Sequence, residues 1–287
     1  MNGIAYAAIE IPSLVEVGAE IVDNVCKCAQ TVIESLKSFP IYSTGNTTSL
    51  VLTSTATVIA TLLVVIELCS QAMGFHFEDV NEAVRFGLKV VVYKIIIENS
   101  SKIVKMVYDM FLSDKSWDDV KAGFGTIQSK MTDAAKEMKA GYDAYTDTSF
   151  LGIEKVFIGI VFLIVSIVIV VLCVNIIASI AGLIFELCIN IAIAPVPIAT
   201  LVNSQTRSIG INFIKSFAGN CLTLTMYGIC FTIYKLLSDN IQTAFETLLS
   251  GGTGFSPLSI AAGSLVGVLL LSVAIKNVSS MISKVLS

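Results

Sequence analysis

Residues 156–202 hold a single charge, Glu186, in forty-seven positions. As one helix the run would be about 70 Å long, against a bilayer hydrocarbon core of about 30 Å. It is therefore expected to fold back. The natural place is "ASIAGL", residues 178–183, around Gly182, which gives spans at 156–179 and 183–202. Composition supports a membrane setting: 55% of residues are hydrophobic and 14% charged, against about 45–50% and about 25% in a soluble domain. The fold class read from this is all-α, a polytopic membrane protein of five to six transmembrane helices with amphipathic helices outside the bilayer.

The rest of the chain divides around that run. Residues 1–46 contain an amphipathic helix over 11–39, with apolar residues at Leu14, Val15, Val22, Val25, Ala29, Val32, Ile33 and Leu36, then the loop "STGNTT". This helix is expected to lie on the membrane or to pack against a partner helix. Residues 47–112 carry a span at 49–69 and, over 86–112, either a second, marginal span in which Lys94 and Glu98 pair one turn apart or an interfacial helix. Residues 113–155 are polar and helical by spacing (Val120, Phe124, Ile127, Met131), a helix or hairpin outside the bilayer. A core block follows over 156–237, whose last span is 211–237. Residues 238–256 form a loop without a basic residue, and 257–287 a final span and tail. No lysine or arginine precedes Lys27, so no signal peptide is expected and insertion uses the internal spans. With six spans, the lysine-rich stretch 113–155 and both termini sit inside and 238–256 outside.

Three polar features interrupt the apolar segments. Glu186 and Asn190, four apart, share a helix face, and ionisable residues inside membranes avoid lipid. Pro195 and Pro197 follow. They remove backbone donors and push Ala194 away from helical geometry, so a helix break is expected there. In the next span Asn212, Ser216, Asn220, Thr223 and Tyr227 recur at steps of three or four, a polar line that either joins helices or faces a path. Gly263 and Gly267 form G-x-x-x-G, a close-packing motif in membrane helices.

Chemistry is sparse. The seven cysteines are odd in number, five of them in apolar segments, and suit neither a disulfide framework nor, with only His76 as histidine, a zinc site. No nucleophile–base pair is present, and "GTGFS" at 252–256 lacks the lysine of a phosphate-binding loop. Neither a cofactor nor an enzymatic activity is expected. A net charge of −4 gives no sign of a basic nucleic-acid-binding domain.

The double apolar block ending in Ala194-Pro195, the polar turn with Thr206-Arg207 and the amphiphilic span after it resemble the TrbL family and its VirB-class relatives over residues 156–237. These are multi-spanning membrane subunits of type IV secretion and conjugation machines. The resemblance implies a channel or scaffold subunit of the bacterial cytoplasmic membrane. Its partners would be other secretion-channel subunits, ATPases, copies of itself in a homo-oligomer, and transient single-stranded DNA with relaxase. The residues themselves also fit a stand-alone secondary transporter with Glu186 as its ion site, or a scaffold with no path. The absence of internal repeats weighs against the transporter.

Overall fold

A computed structural model of the chain describes residues 11–38, 55–66, 98–111, 114–144, 152–203, 205–249 and 256–286, with single positions between 84 and 96. The loop at 43–48, Cys69, His76 and the outer parts of the span expected at 49–69 lie outside the described residues. What is described is helical, with no strand. The helices are α1 (Ile11–Ser38), α2 (Thr55–Ile66), α3 (Ser100–Phe111), α4 (Asp114–Ala144), α5 (Gly152–Ile193), α6 (Pro195–Ala199), α7 (Arg207–Leu249) and α8 (Ser256–Leu286), with a 3-10 turn at Thr200–Val202. Three described stretches are long and apolar enough to cross a membrane: Gly159–Ile193, Arg207–Phe245 and Ser259–Ile282.

The run around Gly182 does not fold back. α5 is one helix of 42 residues, roughly 63 Å long at the standard rise. The reason is local. Ser179 is no turn former here, because its hydroxyl donates to Asn175 O inside the helix at 2.9 Å. A lone glycine costs a helix only about 1 kcal/mol. Opening a turn in apolar surroundings would leave several peptide groups unpaired, each at a greater cost.

Packing divides the chain into two units. The first comprises residues 1–37, 114–180 and 226–278, the second 38–113, 181–225 and 279–287. In the first unit, α1 and α4 run antiparallel. Lys139 meets Glu16 at 2.5 Å, Gln128 donates to Asp23 at 2.6 Å, Lys121 pairs with Glu34, and Lys37 reaches Asp118 at 3.0 Å. Lys27, 2.6 Å from Asp23, holds that carboxyl below the usual carboxylate range, aided by Gln128. A lowered folded-state value means this contribution is present at neutral pH and is lost as pH falls through it. Of the apolar positions read in α1, Val15, Val22, Ala29 and Ile33 are buried and Leu14, Val25, Val32 and Leu36 half-buried; in α4 Val120, Phe124, Ile127 and Met131 are buried. α1 thus finds its partner helices within its own chain. Its Gly18 faces Phe162 and Ser166 of α5, where a β-carbon would lie 2.9 Å from Ser166 Oγ.

α4 and α7 also meet. Lys130 Nζ donates to Asp239 Oδ1 and to Gln242 Oε1, both at 2.6 Å. The sequence reading placed 113–155 and 238–256 across the membrane from each other; a continuous α5 that crosses once, where two spans were expected, would put them on one side. Residues 238–249 are also no loop, since α7 runs on to Leu249. Cysteines placed at Asp133 and Thr243 in a chain lacking exposed native cysteines should react with an impermeant thiol reagent from the same side. Labelling from opposite sides would restore the hairpin.

In the second unit, Ala56 and Ala60 of α2 pack with Ala199, flanked by Val64 and Val196. α3 also touches α6. The pair Lys94–Glu98 forms one turn apart at 3.8 Å. Along α7 the threonines bond to their own helix: Thr223 to Gly219 O at 2.8 Å, Thr232 to Gly228 O at 3.1 Å, Thr243 to Asp239 O at 3.0 Å and Thr247 to Thr243 O at 2.8 Å.

Candidate functional site

The polar residues of α5 and α7 in the second unit come together. Asn220 Nδ2 donates to Glu186 Oε1 at 2.8 Å. The two helices are antiparallel here, so one turn along α5 (Asn190) corresponds to one turn back along α7 (Ser216), with Asn212 a further turn away. Glu186, Ser216 and Asn212 are exposed, and Asn190 and Asn220 half-buried. Their neighbours on α5 are apolar and exposed, Phe185 at 68% and Ile189 at 45%. A strip of amide, hydroxyl and carboxylate groups therefore opens on an apolar surface. Thr223 and Tyr227 do not join it. Both are buried, and the Thr223 hydroxyl is bonded back to Gly219. The polar line read from the sequence thus splits into an exposed part, 212–220, and a buried part beyond it.

The proline segment differs from expectation in one respect. α5 ends at Ile193, but Ala194 keeps right-handed helical angles, φ −48° and ψ −39°. Pro195 is then the first residue of α6, where its missing N–H and fixed φ suit a helix start. Ile198 N–H already bonds Ala194 O at 3.1 Å. The prolines interrupt the hydrogen-bond ladder without turning the chain: the carbonyls of Ile191 and Ile193 have no i+4 donor, because residues 195 and 197 lack an N–H. Such a gap at membrane depth is tolerated where protein surrounds it. Pro195, Ile198 and Ala199 are buried, beside α2 and α3.

The reversal itself is made four residues later. Asn203 is extended, φ −99° and ψ 133°. Its side-chain Oδ1 accepts from Gln205 N at 2.8 Å, and the Thr206 hydroxyl donates to Thr200 O at 3.0 Å. Thr200 donates to Pro197 O at 2.7 Å. Gly210 lets the start of α7 pass close beneath: a β-carbon there would lie 2.6 Å from Leu201 Cγ and 2.7 Å from Pro197 O. Asn203, Thr206 and Gly210 were missed as a group. The Asn-x-Gln-Thr spacing was a readable Asx-turn signal, but the demand on Gly210 comes from Leu201 and Pro197, beyond the reach of any local pattern.

Gly263 and Gly267 belong to the first unit. A β-carbon at Gly263 would lie 3.3 Å from Gln242 Cα, and one at Gly267 would lie 3.1 Å from Tyr234 Cε2. The motif packs α8 on α7 within one chain. Among the described residues no group of His, Cys, Asp and Glu is placed to hold a metal.

Helices of membrane-crossing length with apolar outer faces, joined through a buried proline segment, define an all-α membrane protein. The model of the family described as TrbL/VirB6 plasmid conjugal transfer protein matches residues 58–278, and the chain belongs to that family. The match extends on both sides of the stretch in which the resemblance was read. No curated protein and no solved structure matches the chain. It is accordingly a membrane subunit of a conjugal transfer, type IV secretion, system.

Proposed function

We propose that the chain is a non-enzymatic channel or scaffold subunit, working as a homo-oligomer in the cytoplasmic membrane. With other channel subunits and ATPases it helps single-stranded DNA and its attached relaxase to cross. The observation that carries this reading beyond the family is the Glu186–Asn220 pair on an exposed apolar surface. An acid in that setting calls for protein or water as its neighbour, not acyl chains. A neighbouring copy or an aqueous path supplies either.

The two roles of Glu186 can be separated. Glu186→Gln keeps an oxygen acceptor for Asn220 and should leave conjugative transfer within about twofold of wild type. Glu186→Leu removes the acceptor and should reduce transfer by at least about tenfold, a loss equivalent to about 1.4 kcal/mol, at unchanged membrane abundance. Both are measured in a donor strain lacking the wild-type gene. Normal transfer with Glu186→Leu would remove the polar strip from the reading. Loss with Glu186→Gln would assign the work to the charge itself and favour ion coupling.

A further inference from the structure

The first unit carries opposite surfaces at one level along its axis. Three contacts set the level. Gly18 of α1 lies against Phe162 and Ser166 of α5, Cys26 and Cys173 are neighbours, and Gln128 and Lys139 of α4 reach Asp23 and Glu16 of α1. Residues 16–26 of α1, 128–139 of α4 and 162–173 of α5 therefore stand side by side. Tyr234 of α7 lies near Cys26 and Cys173, and Gly267 of α8 packs on Tyr234, which brings the other two helices to the same height.

The outward residues at that height differ by helix. On α5 they are Ile164, Ile167, Val168 and Val171, and no charge occurs between Lys155 and Glu186. On α8 they are Leu269 and Leu270; α7 is mixed there, with Leu236 and Leu237 beside the exposed Lys235, Asn240 and Asp239, the last paired with Lys130 on the α4 side. On α1 and α4 they are Glu16, Glu20, Lys27, Asp133, Lys136 and Lys139. Among the described residues α4 exposes no large apolar side chain, and α1 only Val17 and Ile21.

We infer that α1 and α4 form a water-facing wall at the depth where α5 and α8 face acyl chains, so that an aqueous compartment runs beside this unit within the membrane. The long uncharged outer faces of α5 and α8 call for a lipid environment. The same depth excludes lipid from the charged face, because ionisable groups in a bilayer turn to the protein interior or to a water-filled cavity. Amphipathic helices lying flat on a membrane do not meet this pattern, since α1 and α4 are strapped lengthwise to α5 and α7. The inference rests on reading the chain as a subunit that borders a path, and it puts one wall of that path on α1 and α4.

Nitroxide labels test it on the full chain in phospholipid vesicles. Single cysteines replace Glu20, Lys136, Val168 and Leu270, with the buried Cys26 and Cys173 retained to protect the fold. Collision rates are measured with oxygen, which concentrates in acyl chains, and with a charged nickel chelate, which stays in water. The ratio of oxygen to nickel collisions should be several-fold higher at 168 and 270 than at 20 and 136. Water-like ratios at all four sites would put the whole unit outside the bilayer, and lipid-like ratios at all four would show the charged face covered. Either result overturns the wall. If the unlabelled variants lose the folded state, impermeant thiol modification of Glu20→Cys against Val168→Cys in otherwise native membranes makes the same comparison: reaction at 20 alone supports the wall, and equal reaction overturns it. The measurement reads position in the membrane only. Absence of a transfer defect in Glu186→Leu would weaken the proposed function and leave this result intact.

Discussion

Alanine at Gly210 should destabilise the protein by about 1–3 kcal/mol, the usual cost of overpacking, whereas alanine at Gly182 should stabilise it by up to about 1 kcal/mol. The contrast follows from what each β-carbon meets. At Gly210 it would lie 2.6 Å from Leu201 Cδ2 and 2.7 Å from Pro197 O. That oxygen cannot retreat easily, because it accepts both the Thr200 hydroxyl and a backbone N–H at the end of α6. At Gly182 nothing lies within 4 Å. The methyl there only removes conformational freedom from the unfolded chain. Thermal midpoints of the purified variants in one detergent would decide. A drop for Gly182→Ala as large as that for Gly210→Ala would mean that residue 182 makes a turn and that α5 is not continuous.

Leucine at Gly123 should release α4 from the first unit. A β-carbon at that position would lie 2.0 Å from Phe231 Cδ1. The ring has nowhere to go. It is fully buried and tilted at 43° against Phe124, with centroids 5.3 Å apart. On the facing helix Gly228 also admits a close neighbour, with Ser116 Cα 2.9 Å from where a β-carbon would stand. Alanine at 123 is expected to cost about 1–3 kcal/mol, and leucine more. The check is limited trypsin digestion of membranes, read at Lys121, Lys130 and Lys136 of α4. Gly123→Leu should be cut many times faster than wild type, and Gly123→Ala combined with Phe231→Leu should recover protection. Equal protection of Gly123→Leu and wild type would show that α4 is not held by this contact.

How much of this was legible in the sequence depended on the range of the cause. The faces of α1 and α4 were readable because a helix writes its buried stripe at a period of 3.6. Val22, Ile33, Phe124 and Met131 are buried as that stripe requires. The fold-back at Gly182 failed because the argument took its length limit from the bilayer, while the residues at 178–183 contain nothing to stop a helix. Ala194 was misjudged for a related reason: a proline disfavours helical angles before it, but the following buried turn of α6 overrides that preference. Of the candidate site, the Glu186–Asn190 face and the 212–220 line could each be seen on their own helix. That Glu186 meets Asn220 could not, since the pairing spans 34 residues and depends on the reversal at Asn203. The requirements at Gly123, Gly210 and Gly228 were hidden for the same reason, each being imposed by a distant segment.

The threonines of α7 bear on how the chain enters a membrane in the first place. A hydroxyl that already donates to the carbonyl one turn back brings no unsatisfied donor into hydrocarbon. Thr223, Thr232, Thr243 and Thr247 all do so. During insertion such a segment partitions as a greasier helix than its list of residues suggests. The four hydroxyls need no neighbouring helix for this, whereas Asp239 on the same helix finds its partner in Lys130 of α4.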